Sequence, residues 1–460
     1  MGVFIVFLDT TIVNVAFATI GRALHASTAE LAWALNAYSL LFAAVLVPAG
    51  RLADAYGRKR VFQLGLVGFG AASAVCGLAP DLAVLIAARA VQGAFAALVV
   101  PSSLSLLLPE FPLRRRATAI GTWGAMGAVA AATGPTIGAL LVEYASWRWV
   151  FLVNVPVCLV AAAVGARALA EARGLEAGGL PDPFGVLLTA IGPGLFSLAV
   201  TEGPTWGWGD GRVVGSLGLG LALVPVFLWR SRHAARPAID LDLFRVRRYQ
   251  VANAAMLVFA VAFFAALLAG VLFLQTVWHY SVLRAALAMS PAPLVAAVVA
   301  RPAGRLADRY GHRVVIVPGA LCYSAAAVLL ATTVGASSHW TSHWLPASLL
   351  SGVGIGLTLP TLGSAAAHAL PPARYAVGSA VSGSFRQLGG VLGVSLFVAL
   401  LGTPTAVTAV SDFHRVWWVL ASVAAMSGLI FLASGRPAGA GRTEPASAEQ
   451  PAVPAVDGQE

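Results

Sequence analysis

The sequence predicts an all-α protein that crosses a membrane fourteen times, and three observations carry that prediction. Charged residues make up only 10% of the chain against 59% hydrophobic, with a mean hydropathy of +0.83. A soluble chain carries about a quarter charged residues and needs them to face water. Apolar runs such as Leu31–Pro48, Val61–Ala79 and Leu82–Leu108 approach or exceed the ~20 residues that cross a bilayer as a helix. Of the 29 basic residues, 28 are Arg, and they gather between those runs.

The elements follow in order. The chain begins MGVFIVFLDTTIVNVAFATI. No basic stretch precedes its apolar part and no A-x-A cleavage pattern follows, so residues 2–21 read as a retained first helix rather than a signal peptide. Where the natural start lies is left open. Spans two to four are 31–50, 61–79 and 82–108. The fifth, 117–142, carries Gly121, Gly124, Gly127, Gly134 and Gly138, which let helices approach closely, and Pro135, which can kink it. The sixth is 147–166, and 184–202 and 213–229 make the seventh and eighth. The remaining spans are 249–279, 284–303, 314–334, 344–369, 375–402 and 413–433. Residues 434–460, rich in Pro, Ala and Glu, read as a disordered tail. Cys76, Cys158 and Cys322 all fall inside spans, as small buried hydrophobes rather than a disulfide framework or a metal site.

Charge fixes the orientation. If Met1 is inside, the inner loops hold 21 basic residues and the outer loops five, namely Arg22, Arg148, Arg212, Arg284 and Arg415. Basic loops face the cytoplasm, which places both termini there. The same argument accounts for the net charge of +10 without a nucleic-acid partner.

One charged segment is written twice. Pro48–Gly57 (PAGRLADAYG) and Pro302–Gly311 (PAGRLADRYG) agree at nine of ten positions, 254 residues apart. With 184–229 set aside, each copy becomes the second-to-third connection of a six-span half. This predicts a six-helix bundle over 1–170, two linker helices within 171–236, a second bundle over 237–433 and the tail 434–460. Two parallel halves around a central site are a transporter architecture. Locally, Gly50 and Gly57, with Gly304 and Gly311 in the second copy, permit close approach and a tight turn. Asp54, or Asp308, precedes the following helix, where it can accept free N–H groups or pair with Arg51 or Arg58. A solvated anchor is the alternative reading of this segment.

Intramembrane charges narrow the site. Among 19 acidic residues, Asp9 alone sits well inside a span, ~12 Å along the helix from Met1. An unpaired carboxylate there costs several kcal/mol, so it must be protonated, paired or facing water. Pairing with Thr10, Thr11 or Asn14 is the structural alternative to a proton or cation pathway. Arg89 lies ~10 Å into the fourth span and Arg386 near the middle of the thirteenth. Each needs a partner, for which Gln92, Gln387 and backbone carbonyls are candidates. Trp33, Tyr38, Trp123, Trp278 and Tyr280 are candidates to line a cavity for cations, with packing or interfacial roles as the alternative.

Taken together, these segments resemble the major facilitator superfamily, and within it the fourteen-helix drug:proton antiporters of the EmrB/QacA type. GRLADAYGRKR resembles the cytoplasmic signature, LDTTIVNVA (8–16) the first-helix motif and RAVQGAFAA (89–97) the fourth-helix motif. GAVAAATGPTIGALL (127–141) resembles the antiporter motif of the fifth helix, with Gly134, Pro135 and Gly138 in place and Ala130 and Ala139 where Gly is usual. WRWVFLVNVP (147–156) and FRQLGGVLGV (385–394) match as well, so the likeness runs to about residue 433. In LFLQTVWHYS (272–281), His279 stands where Gly is common. The resemblance implies proton coupling through Asp9 and Arg89, gating by the duplicated signature and a mobile, closely packed fifth helix. The expected partners are protons, the lipid bilayer and an amphipathic or cationic small molecule, with no cofactor, no metal and no nucleic acid. Oligomeric state is left open.

No GxxxxGK[ST] occurs, and the sole lysine, Lys59, is followed by Arg60, so this chain encodes no ATP motor. Nor is there a nucleophile–base or metal constellation of an enzyme. The expectation is a proton-driven exporter in a bacterial cytoplasmic membrane. Export of one endogenous metabolite, such as a self-made antibiotic, is the alternative within transport, and a non-transporting membrane sensor the alternative outside it.

Overall fold

The computed structural model describes residues 1–112, 116–172, 182–371, 374–402, 405 and 407–433. The expected tail 434–460 lies outside them. Fourteen helices among the described residues are long and apolar enough to cross a membrane. They are α1 (Gly2–Ala23), α2 (Thr28–Tyr56), α3 (Arg58–Leu78), α4 (Leu82–Leu107) and α5 (Arg116–Tyr144). Next come α6 (Trp149–Ala168), α7 (Pro183–Trp206), α8 (Gly211–His233), α9 (Arg247–Thr276) and α10 (Val282–Tyr310). The last four are α11 (Arg313–Thr333), α12 (Trp340–His368), α13 (Tyr375–Leu401) and α14 (Ala409–Leu432). An even number of crossings puts Met1 and Leu432 at one face, here the terminal face, and the connection after α1 at the far face.

Every expected span is present, and the differences lie at the ends. α2 continues six residues past the expected boundary, to Tyr56, so most of the charged signature is helical. Apolar content falls where the helix enters the headgroup layer, while its hydrogen bonds continue. Gly50 and Gly304 therefore sit inside helices, with open space where a side chain would be, and are not turn residues. The turns belong to Gly57 (φ 111°) and Gly311 (φ 89°), the left-handed region that favours glycine. His279 also has positive φ, 52°, which explains glycine as the usual residue there.

The core explains how two six-helix bundles, α1–α6 and α9–α14, are joined. Toward the far face a single apolar cluster unites them. It includes Ile12 and Phe17 of α1, Leu35 of α2, Phe273 of α9, Phe397 of α13 and Trp417 of α14. Gln275 Nε2 donates to Val15 O (3.2 Å) and Leu283 N to Glu143 Oε2 (3.1 Å), adding polar ties between bundles. Toward the terminal face the core divides. One cluster holds Phe42, Phe62 and Phe69, the other Tyr249, Phe259 and Ile316. The α2–α13 seam crosses this divide, through Ser384 Oγ donating to Ala43 O (2.8 Å) and Val47 packing in the second cluster.

The extra pair α7–α8 packs on that seam. Asn36 of α2 donates to Ser197 Oγ of α7 (3.2 Å) and to Ser395 Oγ of α13 (3.1 Å), and the two hydroxyls are 2.6 Å apart. All three residues are buried, so one polar node ties both bundles and the extra pair together.

Candidate functional site

Asp9 stands on a helix where the neighbouring polar side chains Thr10, Thr11 and Asn14 are already bonded to its own backbone. Thr10 Oγ1 donates to Val6 O, Thr11 Oγ1 to Phe7 O and Leu8 O, and Asn14 Nδ2 to Thr10 O. The local pairing considered from the sequence is therefore not what satisfies Asp9. Its partners come from other helices. Arg89 Nη1 of α4 donates to Oδ2 at 2.5 Å. Gln92 Nε2, one turn on, and Asn154 Nδ2 of α6 both donate to Oδ1 at 2.9 Å. The pair is sealed, with Asp9 0% and Arg89 1% exposed. The long Arg89 side chain spans the distance from α4 to Asp9 of α1.

Arg89 is held on every side. Nη1 also donates to Gln92 Oε1 (2.6 Å) and Nε to Ala34 O (3.1 Å), while Tyr38 covers the guanidinium with its ring centroid 4.1 Å away. Gln92 Nε2 reaches Ser73 Oγ of α3 at 2.7 Å. Five helices thus converge on one ion pair whose hydrogen bonds are nearly complete, the condition under which a buried pair is tolerated. Asn154 Oδ1 is left without a donor among the described residues. Asn154 lies within a segment quoted for the family likeness, but Ser73 gave no signal at all.

The ion pair borders a narrow crevice between the bundles. Arg89, Tyr38, Thr10 and Asn14 line one side of about 20 Å³, and Phe264, Gly390 and Val394 the other. Asp9 lies behind Arg89, away from the crevice lining. Arg386, one turn before Gly390 on α13, places its guanidinium 5.3 Å from the Phe7 ring centroid. It makes no hydrogen bond or ion pair among the described residues, so the expected pairing with Gln387 or a carbonyl is absent.

The motif glycines of α5 face α1. A Cβ on Gly134 would lie 2.1 Å from Thr11 Oγ1, and one on Gly138 would lie 2.4 Å from Ile12 Cγ1. Pro135 follows Gly134 within the helix and is buried. This packing fixes the stretch of α1 that begins two residues after Asp9. Of the aromatics, Trp123 donates to Ser103 Oγ (3.0 Å), and Trp278 and Tyr280 belong to the far-face cluster. Only Tyr38 of the five lines the crevice.

The two signature copies differ. In the first, Arg58 binds Asp54 Oδ1 through Nε and Nη2, both at 2.9 Å, and reaches Ser105 O of α4 at 3.2 Å. The start of α3 is capped by Glu171, whose Oε1 accepts from Lys59 N (3.0 Å), and not by Asp54 as expected. Arg51 goes to Pro237 O (2.7 Å). In the second copy His312 takes the place of Arg58. Its Nε2 lies 3.3 Å from Ser364 Oγ, which is 3.1 Å from His368 Nδ1. Burial and the neighbouring His368 hold the His312 imidazole below its ordinary value, with Asp308 opposing. Asp308 is exposed and forms no ion pair among the described residues.

Comparison with known proteins places this arrangement. Residues 1–394 match the family model of the Major Facilitator Superfamily. The chain is 34% identical over 417 residues to the multidrug resistance protein Stp of Mycobacterium tuberculosis, covering 90% of this chain and 77% of that one. It is 36% identical over 400 residues to the puromycin resistance protein pur8 of Streptomyces alboniger (85% and 78%). Identity to the tetracenomycin C resistance and export protein of Streptomyces glaucescens is 32% over 405 residues (88% and 74%). Among solved structures, an auto-inhibited POT family peptide transporter superposes with a TM-score of 0.68 at 15% identity over 94% of this chain and 95% of its own. With fourteen membrane helices, a duplicated signature and drug-resistance proteins as relatives, the chain belongs to the major facilitator superfamily, as a multi-pass drug-efflux transporter of its fourteen-helix branch.

Proposed function

We propose that this transporter is a proton-coupled antiporter that exports amphipathic cations across a bacterial cytoplasmic membrane, with both termini in the cytoplasm. The observation that carries the proposal is the sealed Asp9–Arg89 pair beside the crevice between the bundles. Protonating Asp9 removes the negative half of the pair. Arg89 then keeps Gln92 Oε1, Ala34 O and the Tyr38 and Phe151 rings but no counter-charge, so its charge is felt more strongly in the crevice it lines. A cation there is repelled. Deprotonation restores the pair and lowers that field, so a cation is tolerated. Proton and cationic substrate thus exclude one another through Arg89, without sharing a site. The mutual exclusion couples an inward proton gradient to outward export.

Arg386, one turn from the crevice-lining Gly390 and without a hydrogen-bond or ion-pair partner among the described residues, supports a substrate that also carries acceptor groups. Relatives named for resistance to one compound, tetracenomycin C or puromycin, favour a second reading, a dedicated exporter of one endogenous antibiotic. Ethidium accumulation in everted vesicles, with and without an imposed pH gradient, tests coupling and direction together. Accumulation that is collapsed by an uncoupler supports the proposal; gradient-independent accumulation defeats it. Cysteine labelling should find positions 59 and 247 on the cytoplasmic side and 210 and 412 outside; the reverse overturns the orientation.

A further inference from the structure

The extra pair α7–α8 does not pack flush against the bundles. Between it and the α2–α13 seam lies a cavity of about 390 Å³, walled by Phe196, Leu223, Leu257 and Leu388. That volume is within the range of small-molecule sites, ~300–1,000 Å³. Two exposed residues of its wall, Leu221 and Val224, show that it opens sideways to the bilayer. Its two hydroxyls are already spent: Thr189 Oγ1 donates to Val186 O (2.6 Å) and Ser384 Oγ to Ala43 O. An occupant finds hydrocarbon contact there and no free side-chain donor. A drug with polar groups gains nothing from such a slot, whereas an acyl chain gains its whole length.

The slot has a charged mouth. Ile239 closes it at the terminal face, and Phe196 lies ~20 Å along α7 from Pro183, so the slot runs from the headgroup layer past one leaflet's depth. At that mouth Arg230 is neutralised by Asp182, with bonds of 2.8 and 2.9 Å. Arg232, two residues past Arg230, and Arg236, whose carbonyl accepts from Asp182 N (2.9 Å), are exposed and have no carboxylate partner among the described residues. Unpaired arginines at a membrane face attract anionic headgroups.

We infer that the slot holds one acyl chain of an anionic phospholipid, with its phosphate on Arg232 and Arg236. The lipid fills the gap between the extra pair and the seam, and so completes the packing of α7–α8. The test is retention of added dioleoylphosphatidylglycerol against dioleoylphosphatidylcholine by the purified full-length protein, read by native mass spectrometry. Two exposed arginines are expected to favour the anionic lipid roughly thirtyfold. Arg232→Gln with Arg236→Gln, both at exposed positions, should bring it down to the level of the zwitterionic one. Gly192→Leu should reduce retention of both, because its Cβ meets only ordinary contacts at 3.9 Å and its side chain enters the slot. Equal retention of the two lipids by the wild type overturns the inference. So does Gly192→Leu that keeps its lipid while KM for ethidium rises, since the slot would then serve the exported compound.

Discussion

Replacing Asp9 by Asn keeps the shape of the side chain and removes its charge. Three donors converge on the carboxylate: Arg89 Nη1, Gln92 Nε2 and Asn154 Nδ2. An amide offers one acceptor oxygen in place of two and brings an NH₂ group into a ring of donors. At least one buried donor then loses its partner, at about 1–3 kcal/mol, and Arg89 stays buried without a counter-ion. Breaking a buried pair from one side costs about 3–5 kcal/mol in all, a large share of a typical folding free energy of ~5–15 kcal/mol. Asp9→Asn should therefore melt measurably lower in detergent, and loss of transport alone would not distinguish coupling from misfolding.

The double variant Asp9→Asn with Arg89→Gln separates the two. It removes both charges and should recover much of the lost stability, because a neutral buried pair carries no desolvated charge. If the pair serves only the fold, uphill export of ethidium returns with stability. If the pair couples protons to transport, the double variant stays folded and still fails to pump against a gradient, while downhill exchange persists. Uphill pumping by either variant at the wild-type rate refutes the coupling mechanism.

Three further outcomes follow from the geometry. Gly134→Ala should lower the melting temperature by overpacking against Thr11, at about 1–3 kcal/mol, whereas Gly124→Ala on the same helix, with open space around it, should not; equal effects would deny the α1–α5 packing. Asp54→Asn should slow transport with less than about 0.5 kcal/mol change in stability, since it breaks a half-exposed i,i+4 pair, and Asp308→Asn, with no ion pair to lose, should be near wild type in vesicle transport. Because the folded protein holds His312 below its ordinary value, the unfolded chain takes up its proton first on acidification. Stability should therefore fall as pH drops through the ordinary histidine value of about 6.5, and His312→Gln should flatten that fall; superimposable melting curves for the two proteins would refute it.

The membrane spans and the charged members of the site were legible because hydropathy and ionic cost are local properties. Asp9 and Arg89 announce themselves wherever they point, as charges in an apolar run. Ser73 does not, since a hydroxyl costs little in a helix that can bond it to its own backbone, and only the packing of α3 on α4 turns it toward Gln92. The surroundings of Arg386 are hidden from the sequence for a related reason. Sequence neighbours such as Gln387 lie on a different face of α13, and helix register decides that Arg386 meets Phe7 of the other bundle. The capping of α3 by Glu171, more than a hundred residues away, likewise belongs to tertiary structure.

The node of Asn36, Ser197 and Ser395 has a consequence for how a larger transporter could arise from a smaller one. A pair of helices inserted between two bodies that move against each other would be torn or would jam them, unless it is fastened where their relative displacement is least. Bonded to α2 and α13 at one shared point, α7–α8 can follow both bodies with one short polar anchor, and the rest of its length needs no fixed partner. One buried node of three side chains is thus what the extra pair shares with both bundles at once.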